Sequence, residues 1–192
     1  MQLGQTLYVE NRKDWRAWLA KHHATEKEIW LVYYRKDSGK PRISYNDSVE
    51  EALCYGWIDS TVKGIDAQRY AQRFSPRNSK SSLSQMNRER IHGLIKKKRM
   101  TKAGLAAIAH VFDPEVEKLD DFTISSDILE AIKKNKTAWE NFQKLPESYK
   151  RIRIAFIESR RKHGEEMFWK SLEHFIKMTA KNKRFGFVKE MR

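Results

Sequence analysis

The stretch Ile29-Trp-Leu-Val-Tyr-Tyr34 is rich in aromatic and β-branched residues and is apolar at both alternating sets of positions. A strand sends successive side chains to opposite faces, so such a run predicts a strand covered on both sides. A chain holding it must build a layered core. With 40% apolar and 11% aromatic residues in 192 positions it has the material, which excludes a disordered chain. The length suits one ordinary domain, or one domain with a helical appendage. Asp37-Ser-Gly-Lys-Pro41 is turn chemistry that ends the strand.

Other segments group around this strand. Asn11 is a plausible N-cap for a helix over residues 12–23, with Trp15, Trp18, Leu19 and His22 at helical spacing. Ser48-Val-Glu-Glu51 reads as a capping box opening a helix from Val49 to Trp57. Ile58–Lys63 and Arg69–Ser75, around Gly64-Ile-Asp66, read as a β-hairpin. A serine-rich loop leads to a helix opened by Ser82-Leu-Ser-Gln85, and Thr101 caps a short one. From Ile128 to Thr179 the apolar residues recur at helical spacing. The fold class expected is α+β: a small antiparallel sheet with packed helices over residues 1–112, an acidic linker over 113–125, and a helical C-terminal part over 126–192.

The formal net charge of +14 is uneven: net 0 over residues 1–60, +10 over 61–102, −6 over 103–131 and +10 over 132–192. Two basic blocks point to anionic partners, with a merely solvated surface as the alternative. A single cysteine, Cys54, excludes an internal disulfide framework and a multi-cysteine metal site. It is expected to be a buried structural thiol. No phosphate-binding glycine loop, nucleophile elbow or zinc-protease motif occurs, and the six histidines are scattered. No cofactor or metal is therefore expected. No apolar run approaches the roughly 18 residues of a membrane span. Met1–Glu10 lacks signal-peptide character, so the expected location is cytoplasmic.

The candidate site lies between Trp57 and Arg90. Arg69, Arg73 and Arg77 recur every four residues, a step of about 13 Å in an extended chain, which suits a row of anionic groups. Strand periodicity puts Arg69, Arg73 and Ser75 on one face. Asn87 and Arg90, on the first turns of the following helix, could face the same ligand, and Asp59 could orient an arginine. With Trp57 these form the predicted ligand-binding set; the arginine fork binds phosphate or carboxylate bidentately. Alternatives stay open: an ordinary polar sheet face, a network neutralised by Asp59 and Asp66, or general-base catalysis by either carboxylate, for which no second catalytic group is in sight. Helically spaced aromatics are core candidates, whereas Tyr33, Tyr34 and Phe74 could also stack bases.

Glu51-Ala-Leu-Cys-Tyr-Gly-Trp-Ile-Asp-Ser60, Tyr70-Ala-Gln-Arg-Phe-Ser-Pro-Arg77, Asn87-Arg-Glu-Arg90 and Arg99-Met-Thr-Lys-Ala-Gly-Leu105 resemble the signature of the YdeI/OmpD-associated (OmdA-like) family. Ala138-Trp-Glu-Asn-Phe142, Leu145-Pro146, Tyr149 and Ile157-Glu-Ser159 resemble its ending, so the likeness runs along nearly the whole chain. Members often carry tryptophan where this chain has Leu83. The resemblance implies a bacterial protein with a role in bacteriocin or antimicrobial-peptide tolerance, and it supplies no catalytic residues. Many such peptides are cationic, so a +14 chain is badly suited to sequestering them. The expected function is a non-enzymatic binding protein that holds an anionic ligand or protein partner through its arginine-rich surface. Nucleic-acid binding is the alternative, and action on a small phosphorylated or acidic substrate the second alternative.

Overall fold

In the computed structural model, Asn11 accepts from the amides of Lys13 and Asp14 and opens α1, Arg12–His22. The structure describes residues 3–117, 119–186 and 188, residue 120 by its backbone alone; the outermost residues of the expected terminal segments, and Lys118 of the expected linker, lie outside them. These residues form two compact units, residues 1–83 with 90–114 and residues 84–89 with 115–192.

The first unit is built on a four-stranded sheet: β1 (Thr6–Tyr8), β2 (Ile29–Tyr34), β3 (Trp57–Gly64) and β4 (Arg69–Pro76), in the order β1-β2-β4-β3. β2, β4 and β3 pair antiparallel, as expected. β1 pairs parallel to β2, which makes the sheet mixed. Three residues are too short to show a period, and α1 supplies the crossover that parallel neighbours need. β2 is interior and is covered on both faces. Ile29, Leu31 and Tyr33 pack in the main core with Phe74 and Trp57, while Trp30 and Val32 meet Ala71 on the reverse face. Tyr33 and Phe74 are thus core residues, closed to base stacking.

α2 runs Tyr45–Cys54, four residues earlier than the capping box predicts. Ser44 is the cap, its Oγ accepting from the Asp47 amide at 3.0 Å. Ser48 is buried inside the helix, donating to the Tyr45 carbonyl and accepting from Tyr33 Oη at 2.6 Å. Sequence spacing could not distinguish the two serines, because both precede an acidic residue by three.

Glu51, the expected capping-box partner, has a different task. Its side chain is fully buried and meets three guanidinium groups. Oε1 accepts from Arg12 Nε and Arg99 Nη2, and Oε2 lies 2.6 Å from Arg16 Nη1. Arg16 also donates to the Arg99 carbonyl. Burial alone would raise the Glu51 pKa, but the hydrogen bonds from Arg16 and Arg12 and the charges of Arg12 and Arg99 outweigh it and hold it below 4.5.

Cys54 is buried, as expected. Thr101 caps α4 (Lys102–Ile108) and donates to the Cys54 carbonyl. Gly104 lets α4 approach that carbonyl so closely that a side chain there would collide with it; a Cβ would also stand 2.9 Å from Leu53 O. α3, Gln85–Lys96, opens at Ser84, within the predicted Ser82–Gln85 start, and the Ser84 Oγ accepts from the Asn87 amide.

The second unit is helical: α5 (Ser126–Lys133), α6 (Lys136–Gln143), α7 (Glu147–Glu158) and α8 (Glu165–Ala180). Ile128, Ile132, Phe142, Ile152, Phe168, Leu172 and Phe175 form its core, as their helical spacing predicts. Asn141 donates to the carbonyls of Thr179 and Ala180 and so satisfies the end of α8. Tyr149 Oη accepts from the Phe185 amide at 3.1 Å, pinning the segment after α8. Glu89, nearly buried, takes a two-pronged contact from Arg151, at 2.6 and 3.0 Å.

Glu51→Ala takes a shared, buried acceptor from three partly exposed arginines and is expected to cost about 1–3 kcal/mol in urea denaturation. The folded pKa of Glu51 lies below its unfolded value, so its contribution is complete above about pH 4.5 and fades as pH falls through the lowered folded value. The stability gap between wild type and Glu51→Gln therefore narrows in acid, which pH-dependent denaturation reads directly. Gly104→Ala overpacks the α4 contact and is expected to cost about 1–3 kcal/mol, seen as a lowered denaturation midpoint.

Candidate anion-binding surface

Residues alternate along β4 as the period of two requires. Tyr70, Gln72 and Phe74 stand opposite Tyr33, Leu31 and Ile29, on the face that α1 and α2 cover. Arg69, Ala71, Arg73 and Ser75 occupy the reverse face. There Arg73 holds Glu28 by Nε and Nη2, each at 2.7 Å, and reaches Ser60 Oγ at 3.3 Å. Arg69 pairs with Asp66, which also accepts from the amides of Gln68 and Arg69 and so shapes the hairpin turn. The Arg69 hydrogen bond comes first among the causes that lower the Asp66 pKa. Ser75, opposite Ile58, is half-buried.

Arg77 follows the strand. Its amide donates to the Gly56 carbonyl at 2.8 Å, and its Nη2 donates to the Ser82 carbonyl. Its Nε is buried with no hydrogen-bond partner, and burial pushes its pKa below the usual guanidinium value.

The other predicted residues lie elsewhere. Trp57 is 1% exposed; its indole N–H donates to the His23 carbonyl and its ring meets Trp18 edge-on at 5.8 Å. Asp59 pairs with Phe74 and so belongs to the helix-covered face. Its Oδ2 accepts from Tyr45 Oη at 2.8 Å and Gln72 Nε2 at 3.3 Å. Burial, followed by the charge of Asp59, holds the Tyr45 pKa well above that of free phenol, so Tyr45 stays a donor. Arg90, 5% exposed, donates to Asn46 Oδ1 at 2.8 Å, and desolvation lowers its pKa against the fields of Tyr45, Glu50 and Asp59. Asn87 belongs to the second unit.

The structure thus brings Arg69, Arg73 and Ser75 together on one face, while Asp59 bonds Tyr45 and Gln72 and Arg90 bonds Asn46. Sequence reasoning missed Tyr45, Asn46, Gln72 and Glu28. Cross-strand register decides the contacts of Glu28 and Gln72, and a single strand's periodicity does not contain it. At the end of α3, Lys96, Lys97 and Lys98 are exposed, where the helix dipole favours cations. Among the described residues no group of three or more His, Cys, Asp or Glu could hold a metal ion. Burial, the largest influence on it, raises the Cys54 pKa, so it stays a thiol at neutral pH. No helix among the described residues is long and apolar enough to cross a membrane.

Residues 121–182 match the family model described as Bacteriocin-protection, YdeI or OmpD-Associated (OmdA), and residues 7–107 match the one described as Domain of unknown function (DUF8412). The OmdA match is narrower than the near-complete resemblance read from the motifs, since those between Glu51 and Leu105 fall inside the second model. No curated protein and no solved structure matches the chain. Residues 121–182 are similar to the OmdA model, and the chain belongs to the DUF8412 family, whose model takes in more than half of it.

Proposed function

We propose that this protein is a cytoplasmic, non-enzymatic binding protein for an anionic ligand or partner, acting in bacteriocin or antimicrobial-peptide tolerance. The role is the one the OmdA description carries. The observation that supports anion binding is the face of β4 turned away from α1 and α2, where Arg69 and Arg73 are each held by one partly exposed carboxylate, with Arg77 just past the strand held by a carbonyl. Ion pairs at such exposure contribute little to stability, so an incoming phosphate or carboxylate can displace Asp66 or Glu28 at small cost. Ser75 adds a hydroxyl on the same face. Because the net charge of +14 repels cationic peptides, protection runs through an anionic partner rather than through sequestration of the peptide.

Nucleic acid as that partner is a second reading, favoured by the exposed Lys96, Lys97 and Lys98. The two readings differ in salt dependence, because release of counterions from phosphates makes affinity fall steeply with salt.

Fluorescence anisotropy with labelled oligoglutamate and labelled single- and double-stranded oligonucleotides, across a salt series, tests both. The triple variant Arg69→Ala/Arg73→Ala/Arg77→Ala, checked for folding, is expected to weaken binding on the order of tenfold or more. Loss of oligonucleotide affinity in Lys96→Gln/Lys97→Gln/Lys98→Gln, with a steep salt slope, selects the second reading. Unchanged binding in the arginine variant, or no binding of any probe at low salt, overturns the proposal for this face.

A further inference from the structure

A cleft of about 270 Å³ opens in the helical unit between α7, α8 and the segment that follows α8. Its walls are of two kinds. Phe156, Met167 and Phe185 supply apolar surface, and Phe156 and Met167 are exposed at 39% and 41%. Arg153, Lys170 and His174 supply donors. No carboxylate is among the described residues that line it.

Arg151 holds Glu89, and Arg161 holds Asp127 and Glu158; Arg153 and Arg160 instead lie against aromatic rings, and of these two only Arg153 lines the cleft. Arg153 has no ion pair or hydrogen bond among the described residues. Its Nε is buried and unsatisfied, and its guanidinium lies 3.8 Å from the centroid of the Phe185 ring and 5.2 Å from that of Phe156. Desolvation, the largest influence, lowers its pKa. A partly buried guanidinium without an acid among the described residues carries a desolvation cost that aromatic faces offset only in part. The cleft wall is held in place: Tyr149 Oη fixes the Phe185 amide at 3.1 Å, and the His174 ring meets Phe185 edge-on at 4.8 Å.

A partly desolvated cation beside aromatic and thioether surface recognises an anion attached to an apolar body. The volume stands at the small end of ligand sites, which begin at roughly 300 Å³. We propose that this cleft binds a small organic carboxylate, of the size of an arylalkanoate or a medium-chain fatty acid, with the carboxylate on Arg153 and Lys170 and the apolar part against Phe156, Met167 and Phe185. This site is independent of the β4 arginine face and stands whether or not that face binds anions.

Isothermal titration of the full chain with 3-phenylpropionate and with octanoate, each against its uncharged amide, tests the assignment. Both acids are expected to bind, and both amides on the order of tenfold more weakly. Arg153→Gln, matched to wild type by circular dichroism and thermal melting, is expected to lose a similar factor for the acids and to leave the amides unchanged. Lys170→Gln, on the exposed rim, gives a smaller loss and serves where Arg153→Gln does not fold. The Arg69/Arg73/Arg77 triple variant should bind the acids as wild type does. Failure of both acids to bind, equal binding of acid and amide, or unaltered acid affinity in the charge-removing variants overturns the proposal.

Discussion

The buried carboxylate of Glu51 is the contact on which the rest of the first unit depends. It draws in Arg12 and Arg16 from α1 and Arg99 from the segment before α4, so one side chain ties three separate stretches of chain together. A charge in a dry interior is tolerable only when its partners satisfy it, and here they over-satisfy it: Arg12 has a terminal nitrogen, and Arg99 its Nε, buried without a hydrogen bond. Arg12 spreads its remaining capacity to Asp47 and Glu50 on the same helix, each at 2.8 Å. These contacts tie α2 to α1 and to the segment before α4, and α2 ends with the Tyr55 amide on the carbonyl of Ala52. That end, through Gly56 at φ +76°, feeds directly into β3.

Because α1 and α2 are locked over one face of the sheet, the faces of β4 take different roles. Tyr70 and Tyr33 stack at 5.1 Å with nearly parallel rings, and Phe74 meets Trp15 at 5.4 Å, all on the covered side. The reverse side has a smaller apolar patch of Trp30, Val32 and Ala71, flanked by arginines in ion pairs. Asp59 falls on the covered side by register, which places it with Tyr45 and Gln72, away from Arg69 and Arg73.

Patterns that repeat within one element were legible in the sequence. The doubly apolar run Ile29–Tyr34, the Asn11 and Thr101 caps, the hairpin and the helical stripes of Phe168, Leu172 and Phe175 each carry their own period or capping chemistry. What depends on two elements meeting was not legible. The Ser44 cap was missed because Ser48 offered the same local pattern, and only the Tyr33 hydroxyl across the core shows why Ser48 is interior. Parallel β1 was invisible for its brevity. In the candidate surface, the spacing of Arg69 and Arg73 correctly placed them on one face, yet their carboxylate partners depend on a turn and on cross-strand register. Trp57 belongs to the core because Trp18 and His23 approach it, a contact 34 residues long in sequence for the latter.

Net charge becomes informative only after the arginines that the fold consumes are set aside. Arg12, Arg16 and Arg99 neutralise a buried acid, Arg151 neutralises Glu89, and Arg161 bridges Asp127 and Glu158. Glu51 and Glu89 are buried acids, and the arginines on them are committed to the interior of their units. Other cations differ in kind. Arg69 and Arg73 sit in partly exposed ion pairs, Lys96, Lys97 and Lys98 are exposed at a helix end, and Arg153 is partly buried against aromatic rings. An exposed cation in water attracts any anion weakly and is screened by salt, whereas a desolvated one has already lost its hydration and gains most from an anion that excludes water with it. On the proposed readings, that physics assigns extended or polyvalent anions, whose many weak contacts add, to β4, and a single small one to the Arg153 cleft.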